Sequence, residues 1–265
     1  MSDADISLDE KRVYGEKTGT TELYVAAELG VAVVAVSADI VGEFSLAHRC
    51  TARDVAAGPD FLAVATDENV LVSADGGYEP TDFGPAVAVG FDDGDLLAAG
   101  PDGRVARRAG EDWTTLGTVE DVRAIDGDLV GAADGVYRVG DGLDHVGLTE
   151  AWDVATGGTP LAATGEGLYY LGPGWAKAMD GEFTAVASDP DGGLAATADA
   201  LYAGEGEDWC ECEIPTEESV VALAQGTGNY AVSERGTVLV DAGDGWRSRA
   251  LGLPGVSGVA VAPEA

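Results

Sequence analysis

The feature of this sequence that most restricts its fold is a repeat of short apolar runs separated by turn residues. The unit is clearest at residues 153–179, where runs such as Leu161-Ala-Ala-Thr164 and Leu168-Tyr-Tyr-Leu171 alternate with turns that contain glycine and proline. Runs this short cannot form amphipathic helices, which need about ten residues, and Gly and Pro interrupt the chain too often for a helix. The pattern predicts short β-strands joined by tight turns.

This unit recurs with a spacing of 32–37 residues. Each copy contains four strands, which we label A to D, and six copies keep their four bulky anchor residues in the same order. A period of this size is typical of solenoids and propellers, and four antiparallel strands per unit favour a β-propeller. The anchors of the A strands are Val55, Val89, Val122, Val154, Val186, Leu223 and Val259.

The two ends of the chain supply the parts of one further unit. Residues 256–262 resemble an A strand with nothing after it, whereas residues 22–27, 31–36 and 44–48 resemble B, C and D strands with no A strand before them. The sequence therefore predicts an all-β fold, a seven-bladed β-propeller of four-stranded antiparallel blades, closed by N- and C-terminal strands that share one blade.

The domain organisation follows from the same pattern. Because the repeat is unbroken, we expect residues 21–265 to form a single propeller domain, preceded by a polar N-terminal arm at residues 1–20. Six blades with an N-terminal appendage is the alternative interpretation.

The charge of the chain is extreme. With 48 acidic and 14 basic residues, the formal net charge is −34, far more than solubility requires. Such a surplus causes self-repulsion unless salt screens it. We interpret the composition as that of a halophile protein folded for molar salt, and an ordinary acidic cytosolic protein is the alternative. Dialysis into low salt should therefore cause loss of structure, which circular dichroism would detect.

The sequence also predicts a cytoplasmic location. Residues 1–10 are acidic and lack the apolar segment of a secretory signal. The longest uncharged stretch near the start, residues 29–38, is too short to span a bilayer. An odd number of cysteines, three, does not form a disulfide framework. With no basic patch either, we expect neither a membrane nor a nucleic acid as a partner.

Candidate site residues cluster just before the A-strand anchors. Trp152 is the one tryptophan that does not open a D strand, and in propellers the loop that enters strand A lies beside the central channel. Carboxylates converging there could hold Ca²⁺ or Mg²⁺ or perform acid–base chemistry, although 48 acidic residues make any single Asp weak evidence. The predicted channel-mouth residues are Arg53, Asp54, Asp121, Arg123, Trp152 and Asp153.

Other signs of chemistry are weak. Cys210 and Cys212 lack the two further ligands that zinc requires. His48 and His145 fall in different repeats and have no partner in a recognisable catalytic motif. We therefore predict no catalytic residue, no specific metal ligand and no cofactor, with Ca²⁺ or Mg²⁺ at the channel mouth as the open alternative.

Three segments carry a family resemblance. Arg12-Val-Tyr14, Glu43 to Arg49 and Thr51 to Ala56, together with the repeats, resemble a family of uncharacterised haloarchaeal β-propeller proteins. The resemblance covers essentially the whole chain and implies a propeller fold in a cytosolic, halophilic setting, but no activity. WD40-like and sialidase-type propellers are similar in architecture only, because this sequence lacks the Gly-His…Trp-Asp signature.

These features leave two functions open. The first is a non-catalytic scaffold that binds a protein partner through its loop-rich face. The alternative is a hydrolase or lyase with a carboxylate-lined site, which could include a divalent metal, at the mouth of the channel.

Overall fold

The computed structural model describes residues 19–75 and 77–262, so residues 1–18 of the predicted arm lie outside the described residues. The described residues form 28 β-strands and no helix. No segment among them is therefore a helix that could span a membrane. The first three strands are β1 (Thr20–Ala27), β2 (Gly30–Ser37) and β3 (Ile40–His48).

The next twenty-four strands form six blades of four consecutive strands each. Blade 2 contains β4 (Ala52–Ala57), β5 (Leu62–Thr66), β6 (Val70–Ala74) and β7 (Gly77–Pro80). Blade 3 contains β8 (Ala88–Asp92), β9 (Asp95–Ala99), β10 (Arg104–Ala109) and β11 (Asp112–Thr118). Blade 4 contains β12 (Val122–Asp126), β13 (Leu129–Ala132), β14 (Gly135–Val139) and β15 (Leu143–Gly147).

The second half of the chain repeats this arrangement. Blade 5 contains β16 (Ala151–Ala155), β17 (Leu161–Thr164), β18 (Gly167–Leu171) and β19 (Trp175–Asp180). Blade 6 contains β20 (Ala185–Asp189), β21 (Gly192–Ala196), β22 (Leu201–Glu205) and β23 (Asp208–Glu211). Blade 7 contains β24 (Val220–Gln225), β25 (Asn229–Ser233), β26 (Thr237–Asp241) and β27 (Arg247–Ala250), and the last strand is β28 (Gly258–Val261).

The seventh sheet joins the two ends of the chain. Its strand order is β28-β1-β2-β3, and we call it the closing blade. The ladder between β28 and β1 runs antiparallel from Leu23 opposite Val261 to Ala26 opposite Gly258. The inner strand of each blade contacts the inner strands of both neighbouring blades, including β28 with β24 and β4. The predicted seven-bladed ring is confirmed, and the six-bladed alternative is wrong.

The hydrophobic core is divided among the interfaces between blades. Seven clusters of buried residues are present, and each cluster draws its residues from two adjacent blades. The cluster between blade 7 and the closing blade, for example, includes Leu23, Val34, Val232 and Val240. Alanine and valine predominate because sheets packed this closely leave little space for larger side chains. Each blade is therefore stabilised by its two neighbours.

The ring has two ends with different loops. All inner strands begin at one end of the ring, which we call the mouth face, and the second strand of each blade returns to it. Hydroxyl groups brace several turns there. Thr66 Oγ1 accepts from Asn69 N at 2.9 Å, and Thr164 Oγ1 accepts from Gly167 N at 3.0 Å. These hydrogen bonds account for the burial of two threonines at the ends of β5 and β17.

Candidate functional site

The inner strands surround a central channel that contains a cavity of about 450 Å³. All seven blades contribute to its wall, mostly with small apolar residues such as Ala56, Ala124 and Ala187. Polar side chains concentrate on β4, β12 and β16, which supply two arginines, one tryptophan and three aspartates. The channel is therefore asymmetric, because all the charged side chains of its wall lie on three of the seven blades.

Bulges shape the mouth of this channel. The pairing between the first two strands shifts register at equivalent points of β4, β12, β16 and β24. A bulge leaves one residue outside the ladder and changes the direction of its side chain. The bulged residues are Arg53, Arg123, Trp152 and Val221, and all four line the channel.

Arg123 contacts two neighbouring side chains at the mouth. Its Nη2 donates to Asp121 Oδ2 at 2.8 Å, and its Cζ lies 3.8 Å from the centroid of the Trp152 ring. This distance is within the range of a cation–π interaction. Arg123 Nη1 is buried and has no hydrogen-bond partner among the described residues. The guanidinium is therefore fixed on two sides and has an unused donor.

Trp152 forms the apolar part of the mouth. Its side chain is 39% exposed, although large apolar residues of this ring are mostly buried. Arg53 occupies the equivalent bulge of blade 2 and is exposed. The mouth therefore presents one exposed aromatic ring and two guanidinium groups on a chain whose net charge is −34.

Asp54 and Asp153 lie one residue beyond the bulges and connect neighbouring blades. Asp54 Oδ1 accepts from Val55 N at 2.8 Å, and Oδ2 accepts from Val89 N of blade 3 at 3.0 Å. Asp153 accepts from Val154 N and from Val186 N of blade 6, each at 2.9 Å. Both carboxyl groups thus make the same connection, which we call the aspartate clip.

The environment of the clips favours the neutral form of both carboxyl groups. Burial raises the pKa of Asp54 to about 7 and that of Asp153 to about 8, and the backbone N–H donors oppose this only in part. Asp126 also lines the channel, and burial raises its pKa despite hydrogen bonds from Thr156. The charges of Asp54 and Asp126 contribute to the raised pKa of Asp153. The protonation of Asp153 therefore depends on whether Asp54 and Asp126 are charged.

One clip depends on a glycine of the closing blade. A Cβ placed on Gly258 would lie 2.9 Å from Asp54 Oδ1 and 3.3 Å from Val55 N. Contacts below 3.0 Å require a shift of the neighbouring atoms, and two hydrogen bonds hold the carboxylate in place. Gly258 is therefore needed for the close approach of β28 to β4.

The structure brings together five of the six predicted channel-mouth residues. Arg53, Asp54, Arg123, Trp152 and Asp153 all line the cavity. Their role in binding remains a prediction.

Asp121 does not align with Asp54 and Asp153 as the spacing suggested. Its carbonyl accepts from Ala133 N, and the carbonyls of Thr51 and Glu150 accept the equivalent bonds in blades 2 and 5. Asp121 therefore lies three positions before the place in blade 4 that corresponds to Asp54 and Asp153. Its side chain is 62% exposed and forms an ion pair with Arg123. The structure thus does not bring this carboxylate together with the other two at the cavity wall.

The third acid of the channel is Asp126, which the sequence did not indicate. It ends β12 next to Gly127, so that it resembled an ordinary turn residue. Ile125 lies two residues after the bulge of β12, as Val55 and Val154 do in β4 and β16. Val122 lies before the bulge, closer to the mouth. Choosing Val122 as the anchor concealed Asp126.

Within residues 19–75 and 77–262, no three His, Cys, Asp or Glu side chains are grouped so that they could hold a metal ion. Both oxygens of each clip already accept a backbone hydrogen bond. What the arrangement offers chemically is a cationic and aromatic rim above buried carboxyl groups that brace the wall.

Comparison with known proteins identifies the fold and a family. A family model described as HVO_0234-like beta propeller matches residues 7–262. A search of curated proteins finds no significant match. The WD40 β-propeller domain of Doa1 is similar in structure, with a TM-score of 0.64 and 17% identity over 80% of this chain and 86% of that chain.

Two further solved structures have the same architecture. The computationally designed protein Ika8 has a TM-score of 0.60 and 16% identity, over 92% of this chain and 91% of its own. YCF48 bound to a D1 peptide has a TM-score of 0.58 and 13% identity, over 75% of this chain and 82% of its own. At these identities the similarity establishes the propeller fold alone.

Proposed function

The chain belongs to the HVO_0234-like β-propeller family, and from this premise we propose that it is a non-catalytic scaffold that binds a protein partner. The supporting observation is the pair of Trp152 and Arg123 at the channel mouth, where the exposed Trp152 ring lies against the Arg123 guanidinium. The proposed setting is the cytoplasm of a halophilic archaeon, because the charge of −34 requires salt screening.

The mouth has the composition of an interaction centre. Tryptophan and arginine are enriched among the residues that contribute most to binding between proteins. A partner segment would place an apolar side chain against Trp152 and a carboxylate or carbonyl oxygen near Arg53, which is exposed. The ion pair with Asp121 and the Trp152 ring hold Arg123 before binding, which lowers the entropic cost of ordering it.

The propeller fold is compatible with this use. YCF48, which is similar in fold, has been solved with a D1 peptide bound. We transfer only the general mode, a peptide segment on a propeller, to this chain.

A hydrolase or lyase is the second candidate. It is favoured by the raised pKa values of Asp54 and Asp153 beside a cavity of about 450 Å³, since general acids have such pKa values. The aspartate clips are the counterargument, because each carboxyl oxygen already accepts a backbone hydrogen bond. We therefore prefer the scaffold.

The experiment is affinity capture from host lysate in molar KCl with the wild type, Trp152→Ala and Arg123→Ala. The control is Thr115→Ala, at an exposed position on the outer strand β11 and away from the mouth residues. We expect one stoichiometric protein with the wild type and the control, and at least a tenfold reduction with both mouth variants. Equal capture by all four chains would refute binding at the mouth.

The second candidate has its own test. A thermal melt in molar KCl, with and without Ca²⁺ or EDTA, should show no shift for a scaffold without a metal. A rise in melting temperature with Ca²⁺ that is absent in Asp153→Asn would instead favour a metal-dependent site in the channel.

A further inference from the structure

The second unusual surface of the protein is the outer edge of the closing blade. Five large apolar side chains are exposed in the described chain, and three of them lie on β3. Ile40 is 65% exposed, Phe44 42% and Leu46 36%. Trp152 of the channel mouth and Leu29 of the β1–β2 turn are the other two. Exposed apolar residues concentrated on one strand mark a contact surface more strongly than scattered ones.

The other six outer strands of the described chain are shorter than β3 and expose no large apolar side chain. Natural sheet edges are protected by short strands, charged residues or proline, because unpaired N–H and C=O groups attract further strands. β7 ends at Pro80, and β27 has only four residues, two of them arginines. β3 has nine residues and a single acidic residue, Glu43. The remaining outer strands also carry charged residues, but they have only four to seven residues, with Asp112 in β11, Asp144 in β15, Lys177 in β19 and Asp208 in β23.

A short part of β3 is regular. Phe44, Ser45 and Leu46 pair in unbroken register with β2, and register shifts bracket this segment on both sides. Within it, Phe44 and Leu46 point to the same side of the sheet and Ser45 to the other. Among the described residues, this segment has no backbone hydrogen bonds besides those of its own sheet.

We propose that two copies of the chain pair antiparallel through β3, about a two-fold axis that passes through Ser45. In this register Phe44 lies opposite Leu46 of the second copy, and Leu46 lies opposite Phe44 of the second copy. Each pair is an aromatic–aliphatic contact of the kind that stabilises neighbouring strands. The segment is therefore complementary to itself, as a two-fold interface requires.

The charge around β3 is consistent with a second copy as the occupant. Arg247 and Arg249 on the adjacent β27 are exposed, and Arg247 forms an ion pair with Asp39. Arg249 donates to Val41 O at 3.1 Å and lies near the Phe44 ring, with its Cζ 5.8 Å from the centroid. This region is thus low in negative charge, so that two highly acidic chains can approach there once salt screens the rest of the surface.

A cysteine at the proposed axis provides the decisive test. In a full-length background with Cys50, Cys210 and Cys212 replaced by Ser, Ser45→Cys places two thiols opposite each other across the axis. The control is Thr115→Cys, an exposed position on the outer strand β11. Under mild oxidation in molar KCl we expect a disulfide-linked dimer for Ser45→Cys, at least tenfold more abundant than for Thr115→Cys. Equal cross-linking of the two variants overturns the proposal.

A second measurement avoids the cysteine substitutions. Sedimentation velocity of the full-length wild type in molar KCl should show a dimer that grows with protein concentration, and Leu46→Lys should reduce it at least tenfold. Trp152→Ala should leave the dimer unchanged, which separates this interface from the proposed partner site. A wild type that stays monomeric over the whole concentration range refutes pairing through β3.

Discussion

The closing blade and blade 5 solve the same structural problem in different ways. Blade 5 is one continuous segment, and its strands have four to six residues. The closing blade is assembled from both ends of the chain, and β1, β2 and β3 have eight, eight and nine residues. No other described strand exceeds seven residues. The additional length lies in the ladder between β1 and β2, which has eight residue pairs, whereas the junction of β28 with β1 has four, as the ladder of β16 with β17 does.

The two blades also differ in what they expose. The outer strand of blade 5, β19, carries Lys177, which pairs with Asp180 at 3.0 Å. The outer strand of the closing blade exposes Phe44 and Leu46 instead. The comparison separates two properties, closure of the ring and availability of its edge, and the predictions below test the first of them.

Removal of β28 should have the largest effect. A chain that ends at Gly255 loses the ladder with β1 and exposes two of the interface clusters. The expected loss is comparable to the whole stability of a domain, about 5–15 kcal/mol. Guanidinium unfolding followed by circular dichroism in molar KCl measures it. A chain that ends at Val261 is the control, and a cooperative transition of near-normal midpoint in the shorter chain would contradict closure by β28.

The pH dependence of stability should be the next largest effect. The folded-state pKa values of about 7 for Asp54 and about 8 for Asp153 lie above the ordinary value of 3.8. Their stabilising contribution is therefore complete below about pH 4 and is lost as the pH rises through 7–8. Stability should fall from pH 5 to 9, by at most about 1.4 kcal/mol per pH unit for each group.

The control for this dependence is the double variant Asp54→Asn/Asp153→Asn, which cannot titrate at the clips. Its melting temperature should vary much less between pH 5 and 9. The same slope in both chains would assign the pH dependence to other groups.

Loss of one aspartate clip should have an intermediate effect. Asp153→Ala leaves the N–H groups of Val154 and Val186 without their acceptor, and each of the two unsatisfied buried groups costs about 1–3 kcal/mol. Asp54→Ala should cost a similar amount, because it breaks the same two bonds beside the closing blade. Asp121→Ala, at an exposed carboxylate, is the control. If chemical unfolding gave Asp121→Ala the same loss in free energy of unfolding as the two clip variants, it would contradict the stabilising role of the aspartate clips.

The smallest effect should come from a single methyl group on β28. Gly258→Ala places a Cβ 2.9 Å from Asp54 Oδ1 and should cost about 1–3 kcal/mol through overpacking. In the Asp54→Ala background the cost should be smaller, which a double-mutant cycle measures as coupling. Gly174→Ala, where no heavy atom lies within 4 Å, is the matched control. Additive costs for the two substitutions would exclude direct contact between Gly258 and Asp54.

The sequence predicted the ring because closure depends on spacing alone. Anchors such as Val55 and Val154 recur with the blade, and both lie in inner strands of the structure. The predicted D-strand residue Trp246, by contrast, lies one residue before β27. A shift of one residue is not visible in a pattern of four-residue runs.

The site was predicted less completely, for a physical reason. A bulge adds one residue to a strand without changing its apolar anchors, so the spacing could not reveal which residues lie outside the ladder. A separate ambiguity, the choice of Val122 instead of Ile125 as the anchor of β12, placed Asp121 in line with Asp153 and left Asp126 unnoticed. Pairing between strands resolves both positions, and pairing is a property of the folded chain.

The bulges also bear on how this protein family can diversify. Arg53, Arg123, Trp152 and Val221 lie outside the ladder, and none of them belongs to the seven interface clusters. Mutations at these four positions therefore escape the packing constraints that select residues elsewhere in the ring. Relatives can acquire new recognition properties by drift at the channel mouth while the scaffold is inherited unchanged.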